Sequence, residues 1–549
     1  MRSVETTAQP HSSDSFASHP STSHVMSPTS PSGETRHGPS IPLPLSALLT
    51  TEEEPQLAMR PLPANEDDVA ACLQIYREEL APHFPFVIIP DIPASDLYAK
   101  SPFLCKTVVM AASYKQRSFQ HHLGSQLTEE LGRRLLVEGE KSFDVLQGLL
   151  VHIAWYHVHF NQISQMTNLL QLAIAMLADL GLNRPTHAND RRKFMFDSSR
   201  INYGFLVEAR TLKNEERRAL LGCFYVSSVC VVLFWPMIDP MLTLFRVSAI
   251  FRRVNALEYT SYLEKELHTL LDSHEYESDL LLAGLVQVQQ IAERIVQAVP
   301  YDEPDNPHVL HAPIILHLKT LQRELESQAQ SIPPVLKHNG SFRCNCERSI
   351  CKRSANHVLA VVFILNKHNA EVLLHESGLY HSFWQTPSST TERINVLWRC
   401  LRSVKAFWDT FLSIPDHMVF TLPYSGWGPS TYIILIFSRL FTLECPGWDP
   451  QVAREALDFP TVVDAILAKM ESATRYAKSR WLIENYDELC ERVTERVKFI
   501  KLSVLQSQRS AKPDSDNPDE QLYNNFAPPT VLADDFWEGL MKDCEPLQF

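Results

Sequence analysis

The stretch from Ser142 to Pro185, SFDVLQGLLVHIAWYHVHFNQISQMTNLLQLAIAMLADLGLNRP, most constrains what this chain can become. It reads as two amphipathic helices. In the second, apolar residues fall at Met166, Leu169, Leu170, Ala173, Met176, Leu177 and Leu180. That is the i, i+3, i+4, i+7 rhythm of one buried helical face. Gly181 follows where a helix C-terminus favours a residue that tolerates positive φ, and Pro185 keeps the helix from resuming. An ordinary helical hairpin set in a core satisfies the pattern.

Similar patterns recur along the chain. EYESDLLLAGLVQVQQIAERIVQAV, HVLHAPIILHLKTLQRELESQAQSI and INVLWRCLRSVKAFWDTFLSI are helical in period, and SGWGPSTYIILIFSRLFTLECPGWD reads as turn, helix, turn. Alternating strand patterns are few, so an all-α, multi-helix body is expected. Glycine supports this. There are 16 in 549 residues, well under an average of ~7%, which disfavours folds built on tight turns and phosphate-cradling loops. No fixed-period repeat is visible. The net charge of −14 is wrong for a protein that grips nucleic acid with its whole surface.

Composition divides the chain. Residues 1–64 are rich in Ser, Thr, Pro and His and lack apolar periodicity, so a disordered tail is expected there. Ser27-Pro28 and Ser30-Pro31 read as proline-directed phosphosites or simply as linker composition. Residues 65–507 form the helical body, 508–530 are a polar, Pro-containing linker, and 531–549 are acidic and aromatic. The N-terminus has no apolar signal region. Eleven scattered cysteines point to reduced thiols in a cytosolic or nuclear compartment.

Few constellations carry chemistry. Cys344, Cys346 and Cys351, with His338 and His357 nearby, are the one local cysteine cluster. Their C-x-C-x4-C spacing fits no common zinc site, so a loop with incidental cysteines is expected. His152, His157 and His159 lack the i, i+4 spacing of helical metal pairs and read as packing residues. Ala219 to Ile238 is uncharged over twenty residues, long enough to span a membrane. Gly222, Ser227, Ser228 and Pro236 favour a core helix instead, so no membrane association is expected. There is no G-x-S-x-G elbow, P-loop, G-x-G-x-x-G or H-E-x-x-H, and enzymatic activity is not expected. The turn Ser425-Gly426-Trp427-Gly428 is the best candidate pocket rim, with a structural turn as its default role.

Several words resemble the middle-homology, or fungal-specific transcription factor, domain of zinc-cluster regulators. They are the LQ-LL-AWY helix, LL-LA-AMLADLGLNR-P, and NEERRALLGCFYVSSV from Asn214 to Val229. His83-Phe84-Pro85-Phe86 with Pro90 matches the family's early "FP-P-F-hP" segment, LCKTVVMAASY its next helix, and FRRVNALEYTSYLEKEL a later arginine-rich one. The resemblance covers about residues 65–500 and the closing piece. It implies a nuclear, all-α regulatory domain acting on RNA polymerase II genes, of a kind that often accompanies secondary-metabolite gene clusters. The family's DNA-binding unit is a six-cysteine binuclear zinc cluster. Residues 1–71 contain no cysteine, so no zinc or other cofactor is expected on this chain. Three explanations fit: action through a partner, a lost first exon, or degeneration. About Phe234 to Ile250 matches nothing in the family, and its residues are compatible with a translated intron.

The expected partners are therefore proteins: the transcription machinery or another zinc-cluster regulator, a dimer included. DNA is expected to be bound weakly or indirectly. Two rivals are a helical interaction protein that partners or antagonises an intact regulator, and an enzyme with an unrecognised helical pocket. In the closing piece, Asp534, Asp535, Phe536, Trp537 and Leu540 form a candidate activation or docking motif. Its acidic residues would keep the aromatics in water until a partner folds the segment into a short helix. Packing back onto the body as a last turn is the equal alternative.

Overall fold

A computed structural model of the chain describes residues 66–156, 163–184, 211–238, 257–299, 312–331, 350–384, 390–481 and 487–510. Among these residues there are sixteen α-helices and no strand, so the fold is all-α. They are α1 (Glu66–Ile75), α2 (Ala94–Lys100), α3 (Pro102–Ala112), α4 (Arg117–Leu131), α5 (Phe143–Tyr156), α6 (Ile163–Asp179), α7 (Asn214–Ile238) and α8 (Ser261–Asp272). They continue with α9 (Ser278–Ala298), α10 (Ala312–Ser331), α11 (Ile350–His375), α12 (Thr390–Ser413), α13 (Tyr424–Thr442), α14 (Pro450–Ala456), α15 (Phe459–Trp481) and α16 (Asp487–Ser510). The tail 1–64, the linker 508–530 apart from its first residues, and the segment 531–549 lie outside the described residues.

The predicted α6 face is the buried one. Met166, Leu169, Leu170, Ala173, Met176 and Leu177 are buried, and Leu180 is half-buried at the helix end. Gly181 adopts φ +70. That conformation lets Leu182 N–H donate to Leu177 O at 3.1 Å and Gly181 N–H to Ala178 O at 3.0 Å. The paired bonds satisfy carbonyls the helix would otherwise leave open, and Leu182 and Leu177 are both buried.

The helices stack as consecutive and crossing pairs. In the N-terminal half α3 packs on α5, and α5 on α6. In the C-terminal half α9 packs against α7, α10 and α11, while α11 packs against α12 and α13. α13 reaches back to α5 and α7, joining the halves. One apolar core runs from Val69 to Val504, with a small satellite at Val299, Phe383 and Trp384. The uncharged stretch in α7 is part of it: Ala219 to Cys230 is buried throughout. No described helix is long and apolar enough to cross a membrane. The remainder of the 234–250 stretch, beyond Ile238, lies outside the described residues.

The turn expected at Ser425–Gly428 is instead the first turn of α13, with Pro429 inside the helix. A proline there has no N–H for the carbonyl four residues back, that of Ser425. Asn366 Nδ2 of α11 donates to Ser425 O at 3.3 Å in its place. A tertiary donor thus supplies what local sequence lacks, and the helix continues where sequence alone predicts a break.

Candidate functional site

Prolines at 82, 85 and 90 forbid a continuous helix after α1. The chain passes through a π turn (Tyr76–Leu80) and a 3-10 turn (Ala81–His83) into an irregular strap, residues 84–90. Phe84, Phe86 and Val87 are fully buried within it. A buried strap must place its backbone polar groups and its ends. Tyr76 donates its hydroxyl proton to Val87 O at 3.0 Å. Arg77 Nη2 donates to Pro90 O at 2.6 Å and Ile92 O at 3.2 Å, closing the strap back onto the turn before it.

His83 anchors the strap to the far half of the chain. The Thr421 hydroxyl donates to Met418 O at 2.9 Å, so it can only accept from His83, whose Nε2 lies 3.2 Å away. With the hydroxyl so assigned, the proton sits on Nε2. Burial lowers the imidazole pKa to about 3 and keeps the ring neutral. Trp155 Nε1 of α5 donates to Thr421 O at 3.0 Å. Two segments far apart in sequence thus converge on one threonine.

An aromatic box encloses this junction. Phe84 meets Phe86, Trp155 and Tyr225 at centroid distances of 4.9, 5.8 and 6.4 Å, and Phe86 stacks on Tyr225 at 4.9 Å with 22° between planes. α7 admits the strap because position 222 is glycine. A Cβ there would stand 2.8 Å from Phe86 Cβ and 3.3 Å from Leu150 Cδ1. Tyr225 of α7 faces the side chains of Ser425 and Asn366.

Ion pairs hold the start of α7 in register. Arg218 donates through Nε and Nη2 to the two Asp279 oxygens, each at 2.8 Å, and through Nη2 to Glu275 at 3.0 Å. It also lies over the Tyr276 ring, 4.7 Å from its centroid. Arg217 Nε donates to Glu266 at 2.8 Å. The NEERR word therefore fastens α7 to α8 and α9.

Burial pushes the Cys223 and Cys230 thiols up to about 12, far from thiolate formation at neutral pH. His152 is buried, its Nε2 lies 3.3 Å from the Thr128 hydroxyl, and burial lowers its pKa to about 3. His157 and His159 lie outside the described residues. So do Cys344, Cys346 and His338; Cys351 and His357 fall on α11, in a part whose side chains are not described. Among the described residues no group of three or more His, Cys, Asp or Glu is placed to hold a metal ion. The candidate motif residues Asp534, Asp535, Phe536, Trp537 and Leu540 all lie outside the described residues. Of the junction, the HFPF word was legible in sequence. Arg77, Asn366 and Thr421 were not, although Pro429 in an apolar helix signals that some donor must come from elsewhere.

The chain is 28% identical over 410 residues to "Transcription factor opdL" of Penicillium oxalicum, covering 72% of this chain and 64% of that protein. Its relatives are fungal transcription factors by name. "Transcription factor himD" of Aspergillus japonicus is 27% identical over 413 residues, 73% of this chain and 60% of that one. A protein of Aspergillus terreus named "Transcription factor" is 23% identical over 483 residues, 83% and 65% of the two chains. The chain thus spans just under two thirds of the length of these curated relatives. No protein-family model matches the chain, and no solved structure does.

Proposed function

We propose that this chain is a fungal regulator of RNA polymerase II transcription that acts in the nucleus and is not an enzyme. The observation that carries the reading is its similarity, over most of its length, to proteins named transcription factors. The all-α architecture agrees with the middle-homology resemblance. In this reading residues 65–507 are the regulatory domain, 508–530 a linker, and 531–549 a detachable activation or docking segment. The body works through protein partners, either the transcription machinery or a zinc-cluster regulator, including a second copy of itself. Target genes in a secondary-metabolite cluster are the finer form of the proposal.

These residues, as they stand, carry a net charge of −14 and no C-x2-C pair. The charge opposes approach to a polyanion, so DNA is reached indirectly. A gel shift with the purified chain tests this. Weak binding without sequence preference is expected, and nanomolar, sequence-selective binding at physiological salt would overturn it. Fusing residues 508–549 to a heterologous DNA-binding domain tests the segment. Reporter activation that disappears in the Phe536→Ala, Trp537→Ala double variant is the expected result. A silent fusion, together with loss of body stability on truncation near residue 525, would assign the segment to packing instead.

A further inference from the structure

The outer face of α16 is apolar and basic together. Among the described residues α16 is the one α-helix that exposes two large apolar side chains, Phe499 at 42% and Leu502 at 58%. They lie at i and i+3, one turn apart on the same side, while Ile500 and Val504 turn into the core. Lys498 and Lys501 flank them. Lys498 pairs with Glu495 at 2.9 Å, and Lys501 pairs with Asp464 of α15 at 2.6 Å, both acids being exposed. Pairs with acids this open to water contribute little, so another carboxylate can replace either acid at small cost.

From Arg496 to Ser510 the sequence has four basic residues and no acidic one, within a chain of net charge −14. The segment Val531 to Met541, VLADDFWEGLM, has the opposite pattern. It carries Asp534, Asp535 and Glu538 and no basic residue, and it is otherwise mostly apolar. In a helix Phe536 and Leu540 would fall at i and i+4 with the acids beside them. Residues 511–530 separate this segment from the end of α16 at Ser510. A linker of that length has an average span of about 25 Å, and Leu502 lies about 12 Å back along the helix from Ser510. The segment can therefore return to the α16 face, where the tether gives it an effective concentration on the order of millimolar.

We propose that the α16 face formed by Lys498, Phe499, Lys501 and Leu502 is an internal docking site for residues 531–541 of this same chain. The apolar side of the segment covers Phe499 and Leu502, and its three carboxylates meet the two lysines. Docking hides Phe536 and Trp537, so an outside partner binds more weakly in proportion to the docked fraction. The inference rests on the reading of 531–549 as a detachable segment and adds where on the body it sits when no partner holds it.

The test is zero-length carbodiimide coupling of the full chain, which joins a lysine amine to a carboxylate in contact with it, read by peptide mass spectrometry. An equal mixture of light and nitrogen-15-labelled protein separates links within one chain from links between copies. The expected result is Lys498 or Lys501 joined to Asp534, Asp535 or Glu538 within one chain. Leu502→Glu removes an apolar contact and sets a carboxylate against an acidic segment, so it should cut these links about tenfold. The Phe536→Ala, Trp537→Ala double variant should do the same, and it leaves the body untouched should Leu502→Glu fail to fold. Links that persist in both variants would show mere tethered collision and overturn the proposal. Links spread over lysines elsewhere, links only between copies, or none at all would overturn it equally. The reporter fusion of residues 508–549 lacks the α16 face and reads the segment alone. A fusion that activates while the full chain gives no links therefore removes this inference and leaves the segment reading standing.

Discussion

Replacing Gly222 by alanine sets two effects of opposite sign against each other in the middle of α7. Helix propensity favours the change, since Gly→Ala in a helix interior gains about 1 kcal/mol. Packing opposes it. The new Cβ would sit 2.8 Å from Phe86 Cβ, 3.2 Å from Phe86 Cγ and 3.3 Å from Leu150 Cδ1. A Cβ cannot swing aside as the tip of a side chain can, and here the strap is pinned on both sides. Tyr76 holds Val87 O, Arg77 holds Pro90 O and Ile92 O, and Phe86 is stacked on Tyr225. Overpacking of this kind costs about 1–3 kcal/mol. Because relaxation would also disturb the aromatic box, the upper part of that range applies, and the net expectation is a loss of about 1–2 kcal/mol. Gly132→Ala is the control, at helical φ −56, ψ −47 with nothing within 4 Å of the added Cβ. It should gain about 0.5–1 kcal/mol. Urea unfolding of both variants measures the difference, with the midpoint shifting and the slope unchanged. A Gly222→Ala variant at least as stable as the parent would refute the argument, because propensity would then have won against a strap that is not fixed.

Leu177→Asp should destabilise the body by roughly 3–5 kcal/mol, since Leu177 is fully buried. Asp179→Ala removes only an exposed pair with Lys141 at 3.4 Å and should stay within about 0.5 kcal/mol, so equal thermal stability of the two variants would place the helix face wrongly. Arg218→Met strands the buried Asp279 carboxylate and should cost about 3–5 kcal/mol, with much of it recovered in the Arg218→Met, Asp279→Leu double variant; a double variant as unstable as the single would contradict this. His83, His152 and His375 have pKa values lowered by burial to about 3, 3 and 4. The unfolded chain takes up these protons below about pH 6.5 and the folded one does not, so stability is complete above that pH and falls toward pH 4. His83→Gln, which retains an N–H donor for Thr421, should flatten that fall by about one proton in the pH dependence of unfolding; an unchanged slope would mean His83 is already protonated in the native state.

The sequence by itself determined the helical class, because apolar periodicity and scarce glycine act locally and leave few alternatives. It also determined the buried face of α6 and its glycine end, where a positive φ is required within a few residues of the last apolar position. It marked His83–Pro90 as something other than helix, because proline cannot continue one. It did not determine where that segment goes. Only the tertiary structure placed the strap against α5, α7 and the turn Asp416–Thr421, since its anchors are Thr421, 338 residues from His83, and the absence of a side chain at Gly222. Tertiary structure also kept α13 helical through Pro429, by lending Asn366 to a carbonyl that local bonding abandons. The physical reason is the same in each case. Periodicity and backbone preference are properties of neighbours in sequence, whereas hydrogen-bond satisfaction and close packing in a core are settled by groups that meet only when the chain has folded.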